Sequence, residues 1–162
     1  MTRSYTEQGG DTSDLTFSGN LIDFEQFTGS SLFSAIQPPL TVGIATISGG
    51  QLLSAATNLP ADRSVVYGTA AFCSGCLPSI TIAFSQKVSN FSVFVYNGQT
   101  FTVTYTVQDD AGGLQTVTLV SNSQSGVATV MLPSTGIRQV TITSNAGQWD
   151  FLIDNLRFAP QA

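Results

Sequence analysis

The chain has 162 residues, a formal net charge of −5, and 9% charged residues against roughly 25% in an average soluble protein. Its five cations are scattered, which excludes the clustered positive charge of a nucleic-acid-binding protein: Arg3, Arg63, Lys87, Arg138 and Arg157. No apolar run approaches a membrane span, and no signal-peptide hydrophobic region follows the first residue. We therefore expect one domain whose uncharged polar surface is typical of secreted or cell-surface proteins.

The N-terminal segment is polar and rich in turn residues. Residues 1–19 contain a glycine pair and the run Asp-Thr-Ser-Asp, which predicts a flexible tail with one strand-like island at residues 15–17. Apolar alternation begins after it. The expected organisation is a tail at 1–19 and a single domain at 20–162.

The first predicted strand covers residues 21–27 and carries two acids. Because side chains alternate along a strand, Asp23 and Glu25 are expected to share one face. A second strand is predicted at residues 40–47, and residues 52–56 are expected to form a helical turn.

A strand predicted at residues 64–69 leads into the only two cysteines, Cys73 and Cys76. The chain has no histidine and no third cysteine to complete a zinc site, and no βαβ pattern indicates a redox motif. A small loop disulfide in an oxidising compartment is the favoured interpretation, and free thiols are the alternative.

The middle of the chain alternates clearly. Strands are predicted around residues 80–84 and 91–96, and Asn97-Gly98 is a two-residue hairpin signal. The return strand is expected to point Phe101, Val103, Tyr105 and Val107 inward. Further strands follow at 115–120, 127–132 and 137–143.

The last predicted strand covers residues 149–158. Its period of two places Asp150 and Asp154 on one face. With it, about ten short strands rich in valine, threonine, isoleucine and phenylalanine predict an all-β fold, an antiparallel two-sheet β-sandwich of jelly-roll type.

Three segments carry a family resemblance: Asp23-Phe24-Glu25, the stretch ITIAFSQKVSNFSVFVYNG at 80–98, and GIRQVTITS with WDFLIDNLRF at the end. The chain resembles a group of bacterial exported β-sandwich domains over residues 20–159, and is similar to calcium-binding, carbohydrate-binding-module-like jelly rolls. The resemblance implies this fold and export.

The two acid pairs predict a metal site. If the first and last strands are neighbours, four carboxylates meet, and a hard cation with oxygen ligands relieves their repulsion. The expected ligands of a structural Ca²⁺ are Glu25, Asp154, Asp23 and Asp150, with Asn20 and carbonyls near Gly49 completing the shell. The alternative is that these acids face solvent at strand edges.

Sugar binding requires exposed aromatic rings and planar polar groups. The candidate ligand-binding residues are Trp149, Tyr96, Asn97, Gln99 and Tyr67. The alternative interpretation places these aromatic side chains in the core.

Catalysis has little support, because without histidine a Ser-His-Asp or Cys-His system is impossible in this chain. Two functions remain. One is a secreted, calcium-stabilised, non-catalytic module that binds a glycan. The other is a structural subunit that self-associates through residues 1–19 by adding a strand to a neighbour's sheet.

Overall fold

A computed structural model describes residues 3–6, 16–54, 65–121 and 126–162, with the backbone alone described at 3–6 and 16–18. These residues form twelve strands and no helix. The strands are β1 Arg3–Thr6, β2 Thr16–Ile22, β3 Leu40–Val42, β4 Ala45–Ser48, β5 Gln51–Ser54, β6 Val65–Ala70, β7 Ser79–Asn97, β8 Val103–Asp109, β9 Leu114–Leu119, β10 Val127–Leu132, β11 Ile137–Ser144 and β12 Asp150–Pro160. The predicted all-β antiparallel fold is confirmed. No described segment is a helix long and apolar enough to cross a membrane.

The long strand β7 belongs to two sets of paired strands. Its first half pairs with β11 and β4, and β8, β9 and β3 extend that set. Its second half pairs with β10 and β12. Asn90, between the halves, has a φ of 53°, so the strand bends there from one set into the other.

The core lies where the two sets pack face to face. The rings of Phe84 on the first half of β7 and Phe158 on β12 have centroids 4.8 Å apart. Tyr105 on β8 and Phe151 on β12 have ring centroids 5.3 Å apart. These contacts between the sets make the fold a β-sandwich. The jelly-roll connection stays a prediction.

Strand β12 sits at the centre of its set. Along one edge it pairs with β7; along the other it pairs first with β6 and then with β2. The first and last segments of the predicted domain are therefore neighbours, as expected. The pairing with β7 gains one residue between Asp154 and Arg157, where Asn155 has a φ of 47°, which is the geometry of a β-bulge.

Several predicted element bounds are wrong. The expected tail contains β1 and the start of β2, which crosses the predicted boundary at residue 20; residues 1–2 and 7–15 lie outside the described residues. The strand predicted at 40–47 is a hairpin of β3 and β4, because Gly43 turns the chain with a φ of 60°. The helical turn predicted from residue 52 is β5 up to Ser54, and residues 55–56 are not described.

The predicted hairpin at Asn97-Gly98 is also wrong. Strands β7 and β8 do not pair with each other, and neither residue has the positive φ of a type I′ turn. Instead the Asn97 N–H donates to the Gly126 carbonyl and the Gly98 N–H donates to the Asp150 carbonyl. The segment leaves one set of strands and enters the other.

Candidate functional site

The acids of the first predicted strand do not lie on a strand. β2 ends at Ile22, and Phe24, fully buried with a φ of 60°, turns the chain directly after it. The alternation argument for Asp23 and Glu25 is therefore wrong, because a residue in the left-handed region breaks the period of two. Asp23 instead accepts a hydrogen bond from the Glu25 N–H at 3.3 Å.

Glu25 and Asp154 both accept backbone hydrogen bonds. One Glu25 carboxylate oxygen accepts from the Val65 N–H at 3.0 Å, which ties the β2 turn to the start of β6. The fully buried Asp154 accepts from the Asn155 N–H at 2.8 Å, at the bulge of β12. Within the described ranges, no three carboxylate or cysteine side chains form a group that could hold a metal ion. The expected four-carboxylate cluster is therefore not formed.

Asp150 lies near the opposite end of β12, against the turn that follows β7. Its carbonyl receives the Gly98 N–H, and a Cβ on Gly98 would collide with its carboxylate. Burial raises the pKa of Asp150 from 3.8 to about 7. Burial, with the nearby Asp150 charge second, raises the pKa of Tyr105 above its ordinary value.

Two of the predicted ligand-binding aromatics are core residues. Tyr67 and Tyr96 are both fully buried, so neither presents a ring face on which a sugar could stack. The Tyr67 hydroxyl accepts a hydrogen bond from the Gly50 N–H at 2.9 Å, and burial raises the pKa of Tyr67 to about 12. Tyr96 packs with Leu53, Val66 and Leu152 in a second apolar cluster.

Asn97 is fully buried as well, and its side-chain amide makes hydrogen bonds to backbone groups. Its Nδ2 donates to the carbonyls of Phe101 at 2.8 Å, Leu119 at 3.1 Å and Val120 at 2.6 Å. Its Oδ1 accepts from the Tyr105 hydroxyl at 2.9 Å and the Gln99 N–H at 2.8 Å. The side chain is not available to a ligand, and it fixes the shape of the loop at residues 98–102.

That loop forms one wall of a cleft at an end of the sandwich. The cleft, about 400 Å³ in volume, is lined by the segments 101–104 and 145–148. Phe101 is 46% exposed, and Asn145 and Gln148 on the other segment are exposed as well. An exposed aromatic residue in one cleft with primary amides and a threonine hydroxyl is the chemistry of sugar recognition.

Both walls of the cleft are anchored to strands. The carbonyl of Phe101 accepts from buried Asn97, and the Asn145 N–H donates to the Thr104 carbonyl at 3.0 Å. The Asn145 amide also donates to the Thr106 hydroxyl at 3.3 Å, and the Ala146 N–H donates to the Ser144 hydroxyl at 3.2 Å. Anchored walls lose little conformational entropy when a ligand binds.

Two other predicted ligand-binding residues flank this cleft. Gln99 is half-buried within the loop, and Trp149 is half-buried directly after Gln148. The Trp149 carbonyl accepts from the Ala71 N–H at 2.8 Å, while its indole nitrogen is buried without a hydrogen-bond partner among the described residues. The sequence prediction thus reached the region of the cleft but not its lining.

Alternation alone does not identify Phe101 as a site residue. It predicts an inward side chain on a strand, but β8 begins at Val103 and Phe101 lies in the preceding loop. The signal that could have found it is the sequence NGQTF at residues 97–101, in which four turn-forming or polar residues precede the ring. Such a run is typical of a loop, and an aromatic residue at the end of a loop is a candidate for exposure.

The expected disulfide between Cys73 and Cys76 is present. Beside it Phe72 is 69% exposed and contacts Phe33 edge-to-face, with ring centroids 5.3 Å apart. Phe72 thus offers a second exposed ring, but it lines none of the described clefts. It is therefore a suitable control for substitutions at Phe101.

No protein-family model matches the chain, and no curated protein matches it in sequence. Solved structures do match. The K2 cleaved adhesin domain of Lys-gingipain aligns with a TM-score of 0.52 at 11% identity, over 89% of this chain and 99% of that one. The K3 adhesin domain of Lys-gingipain from Porphyromonas gingivalis gives 0.47 at 13% identity, over 86% and 97%. TmCBM61, solved with β-1,4-galactotriose, gives 0.45 at 12% identity, over 86% and 94%.

Carbohydrate-binding modules, which the sequence resemblance names, and adhesin domains, which it does not, both recur among the structural neighbours. At these identities the likeness concerns the fold.

Proposed function

We propose that this protein is a non-catalytic glycan-binding module whose site is the cleft between segments 101–104 and 145–148. The observation that carries the proposal is that exposed Phe101 lines one cleft together with Asn145 and Gln148. A pyranose stacks its C–H face on the ring, and its hydroxyls exchange hydrogen bonds with the amides. The cleft is open, which suits a sugar within a longer chain.

The chemistry of the lining supports a neutral sugar at this cleft. All eight of the described lining residues are uncharged, and five of them are polar or glycine: Thr102, Thr104, Asn145, Gly147 and Gln148. A glycosidase needs two carboxylates flanking the scissile bond, and none of the described carboxylates lines the cleft. That lining supports binding without turnover.

The test is binding to a glycan array, followed by calorimetry with the best ligand. We expect Phe101→Ala to weaken binding about tenfold, because a lost stacking contact is worth roughly 1 kcal/mol or more. Gln148→Ala should weaken it less. Phe72→Ala removes an exposed ring outside the cleft and should leave affinity unchanged. Equal losses for Phe101→Ala and Phe72→Ala would place the site elsewhere, and no glycan binding at all would overturn the proposal.

The proposal includes stabilisation by Ca²⁺, with fewer carboxylate ligands than the sequence predicts. Instead of four carboxylates, the ion would take Asp154 and Glu25 or Asp23, with backbone carbonyls and water, which Ca²⁺ accepts as ligands. An ion that binds only the folded state stabilises it by mass action. We therefore expect EDTA to lower the melting temperature of the wild type, and not that of Asp154→Asn. Asp110→Asn, at a carboxylate that accepts the Arg138 and Gln139 N–H groups, is the control that keeps the EDTA effect.

A secreted or cell-surface location is also part of the proposal. The disulfide between Cys73 and Cys76 supports it, since such bonds persist in oxidising compartments. The low fraction of charged residues, 9%, agrees with that setting. A test is the thiol count of protein taken from its native cells, where alkylation should label neither cysteine before reduction.

A further inference from the structure

A second concavity lies on the outer side of the strands β10, β7 and β12. Met131 is paired with Ser92, and Ser92 is paired with Arg157, so these three residues form a row across the three strands. A groove of about 760 Å³ lies over this row. Met131, 69% exposed, and Pro133 form one side of it.

The bulge in β12 places Arg157 in this row. Asp154 pairs with Phe94 and Arg157 pairs with Ser92, so three residues of β12 span two residues of β7. Without the extra residue at Asn155, the alternation would put residue 157 on the side opposite to residue 154. Leu156 and Phe158 on either side of Arg157 are fully buried in the core, so Arg157 faces away from it.

The groove differs from the Phe101 cleft in charge. Among the described residues, Arg157 is the one charged residue that lines it, and the remaining polar side chains there are amides and hydroxyls, from Asn90, Ser92, Gln115 and Thr129. None of the carboxylates in the described ranges lines the groove, although the chain carries a net charge of −5. A cation in a groove without acids favours an anionic group on a ligand.

The groove and the cleft share no lining residue within the part of the chain that the structure describes. Gln148 of the cleft precedes β12, and Arg157 of the groove lies near its end. At about 3.3 Å per residue, the stretch from residue 148 to residue 157 spans roughly 30 Å. One short oligosaccharide therefore cannot fill both.

We propose that this groove is a second saccharide site, and that its ligand is a sugar bearing a carboxylate, a uronate residue. The guanidinium of Arg157 pairs with the carboxylate through two parallel N–H···O bonds, while the amides and hydroxyls receive the ring hydroxyls. Arg157 also has a contact within the protein. A guanidinium carries five N–H donors in one plane, so the ligand carboxylate would take the donors that this contact leaves. The thioether and methylene groups of Met131 cover the apolar face of the ring. The proposal rests on the proposed glycan-binding function.

The experiment compares two trisaccharides that differ only at C6: α-1,4-trigalacturonate and α-1,4-galactotriose. Each is titrated into ¹⁵N-labelled protein, and amide shifts are followed separately at the groove and at the cleft. We expect trigalacturonate, and not galactotriose, to shift the amides of Ser92, Gln115 and Thr129. Raising the salt concentration should weaken that binding.

Three variants complete the experiment. Arg157→Gln should weaken trigalacturonate binding about tenfold or more, and Arg157→Lys should retain part of it, because a point charge replaces the bidentate fork. Arg138→Gln removes an exposed cation outside the groove and should change nothing. Melting temperatures of the variants show whether each is folded, and Arg157→Lys carries the test if Arg157→Gln is not.

Equal shifts at the groove with both trisaccharides would overturn the uronate proposal, and so would unchanged affinity in folded Arg157→Gln or Arg157→Lys. So would an absence of groove shifts with trigalacturonate. The proposed cleft is judged in the same spectra from residues 101–104 and 145–148 and from the Phe101→Ala variant. Failure of one site is thereby distinguished from failure of the other.

Discussion

Buried polar side chains in this protein mainly hold backbone in place. Asn97 binds three carbonyl oxygens, an N–H and a tyrosine hydroxyl around one fully buried amide. Asp109, also buried, accepts the N–H groups of Ala111 and Gly113 at 2.8 Å each and so closes the turn between β8 and β9. Loops that carry a binding site need such side-chain hydrogen bonds, because their backbone lacks the regular hydrogen bonds of a β-sheet.

Asp150 gives a pH-dependent prediction at the residue scale. Burial raises its pKa from 3.8 to about 7. Between these two pH values the carboxyl is therefore protonated in the folded state and ionised in the unfolded state. The contribution to stability is complete below the unfolded pKa of 3.8 and is lost as the pH rises through 7. Asp150→Asn cannot ionise. We therefore expect the variant to melt at a higher temperature than the wild type at about pH 8, and not at about pH 3.5.

Thermal denaturation at the two pH values measures this difference. Asp110→Asn, at an exposed carboxylate, is the control and should not show the same pH-dependent gain. A gain for Asp150→Asn that is equal at both pH values would mean that folding does not raise the pKa of this carboxyl.

At the scale of elements, glycine allows close approach between β-strands near the start of β5. A Cβ on Gly50 would overlap the carbonyl oxygen of Gly68 on β6, and the Gly50 N–H donates to the hydroxyl of buried Tyr67. The obstacle is backbone, which cannot swing away as a side chain can. Gly50→Ala should therefore destabilise the protein by about 2 kcal/mol or more.

Gly147→Ala is the matched control for that substitution. A Cβ at Gly147 meets no described atom within 4 Å, and the φ of Gly147 is not positive. We expect a change within about 0.5 kcal/mol in chemical denaturation. Similar losses for Gly50→Ala and Gly147→Ala would show that the contact with Gly68 does not set the effect, since Gly→Ala at an open position lowers the entropy of the unfolded chain and does not destabilise the fold.

The sequence predicted those elements whose alternation matches their burial. The strand expected at residues 127–132 is β10 with the same bounds, and the last three predicted strands are all present. The prediction from alternation failed where residues with a positive φ interrupt the strand. Phe24 ends the first strand early, and Gly43 divides the second. A period of two carries no information about such residues, since a turn at a phenylalanine has no composition signal.

The site was predictable only in part for a related reason. The sequence predicts Asn97 and Gln99 as polar ligand-binding residues near aromatic ones, and both lie beside the cleft. Which aromatic is exposed depends on long-range pairing: Tyr96 is covered by Leu53 and Val66 from β5 and β6. Phe101 is exposed because β8 starts after it. The first fact depends on residues distant in the sequence, whereas the run NGQTF before β8 is a local signal of the second.

For the molecule as a whole, the open edges of its sheets are the places where strand pairing with a second chain would occur. β1 pairs only with β2 among the described strands, and β2 in turn pairs with β12. β1, a strand of four residues, therefore covers the edge of β2, a strand of seven residues. Short edge strands are poor templates for pairing with another chain, whereas longer ones are good templates.

Removal of residues 1–15 tests whether β1 prevents or promotes self-association. If β1 protects the edge, the truncated protein exposes Thr16–Ile22 and should form concentration-dependent oligomers in size-exclusion chromatography with light scattering, while the full chain stays monomeric. The alternative function, a subunit that polymerises by donating its N-terminal segment to a neighbour's sheet, makes the opposite prediction: the full chain assembles and the truncated one does not.

Glycan binding by the truncated protein is the control, because the Phe101 cleft lies on other strands and loops. Retained binding together with truncation-dependent oligomers would identify β1 as the protecting edge of a module that works as a single copy.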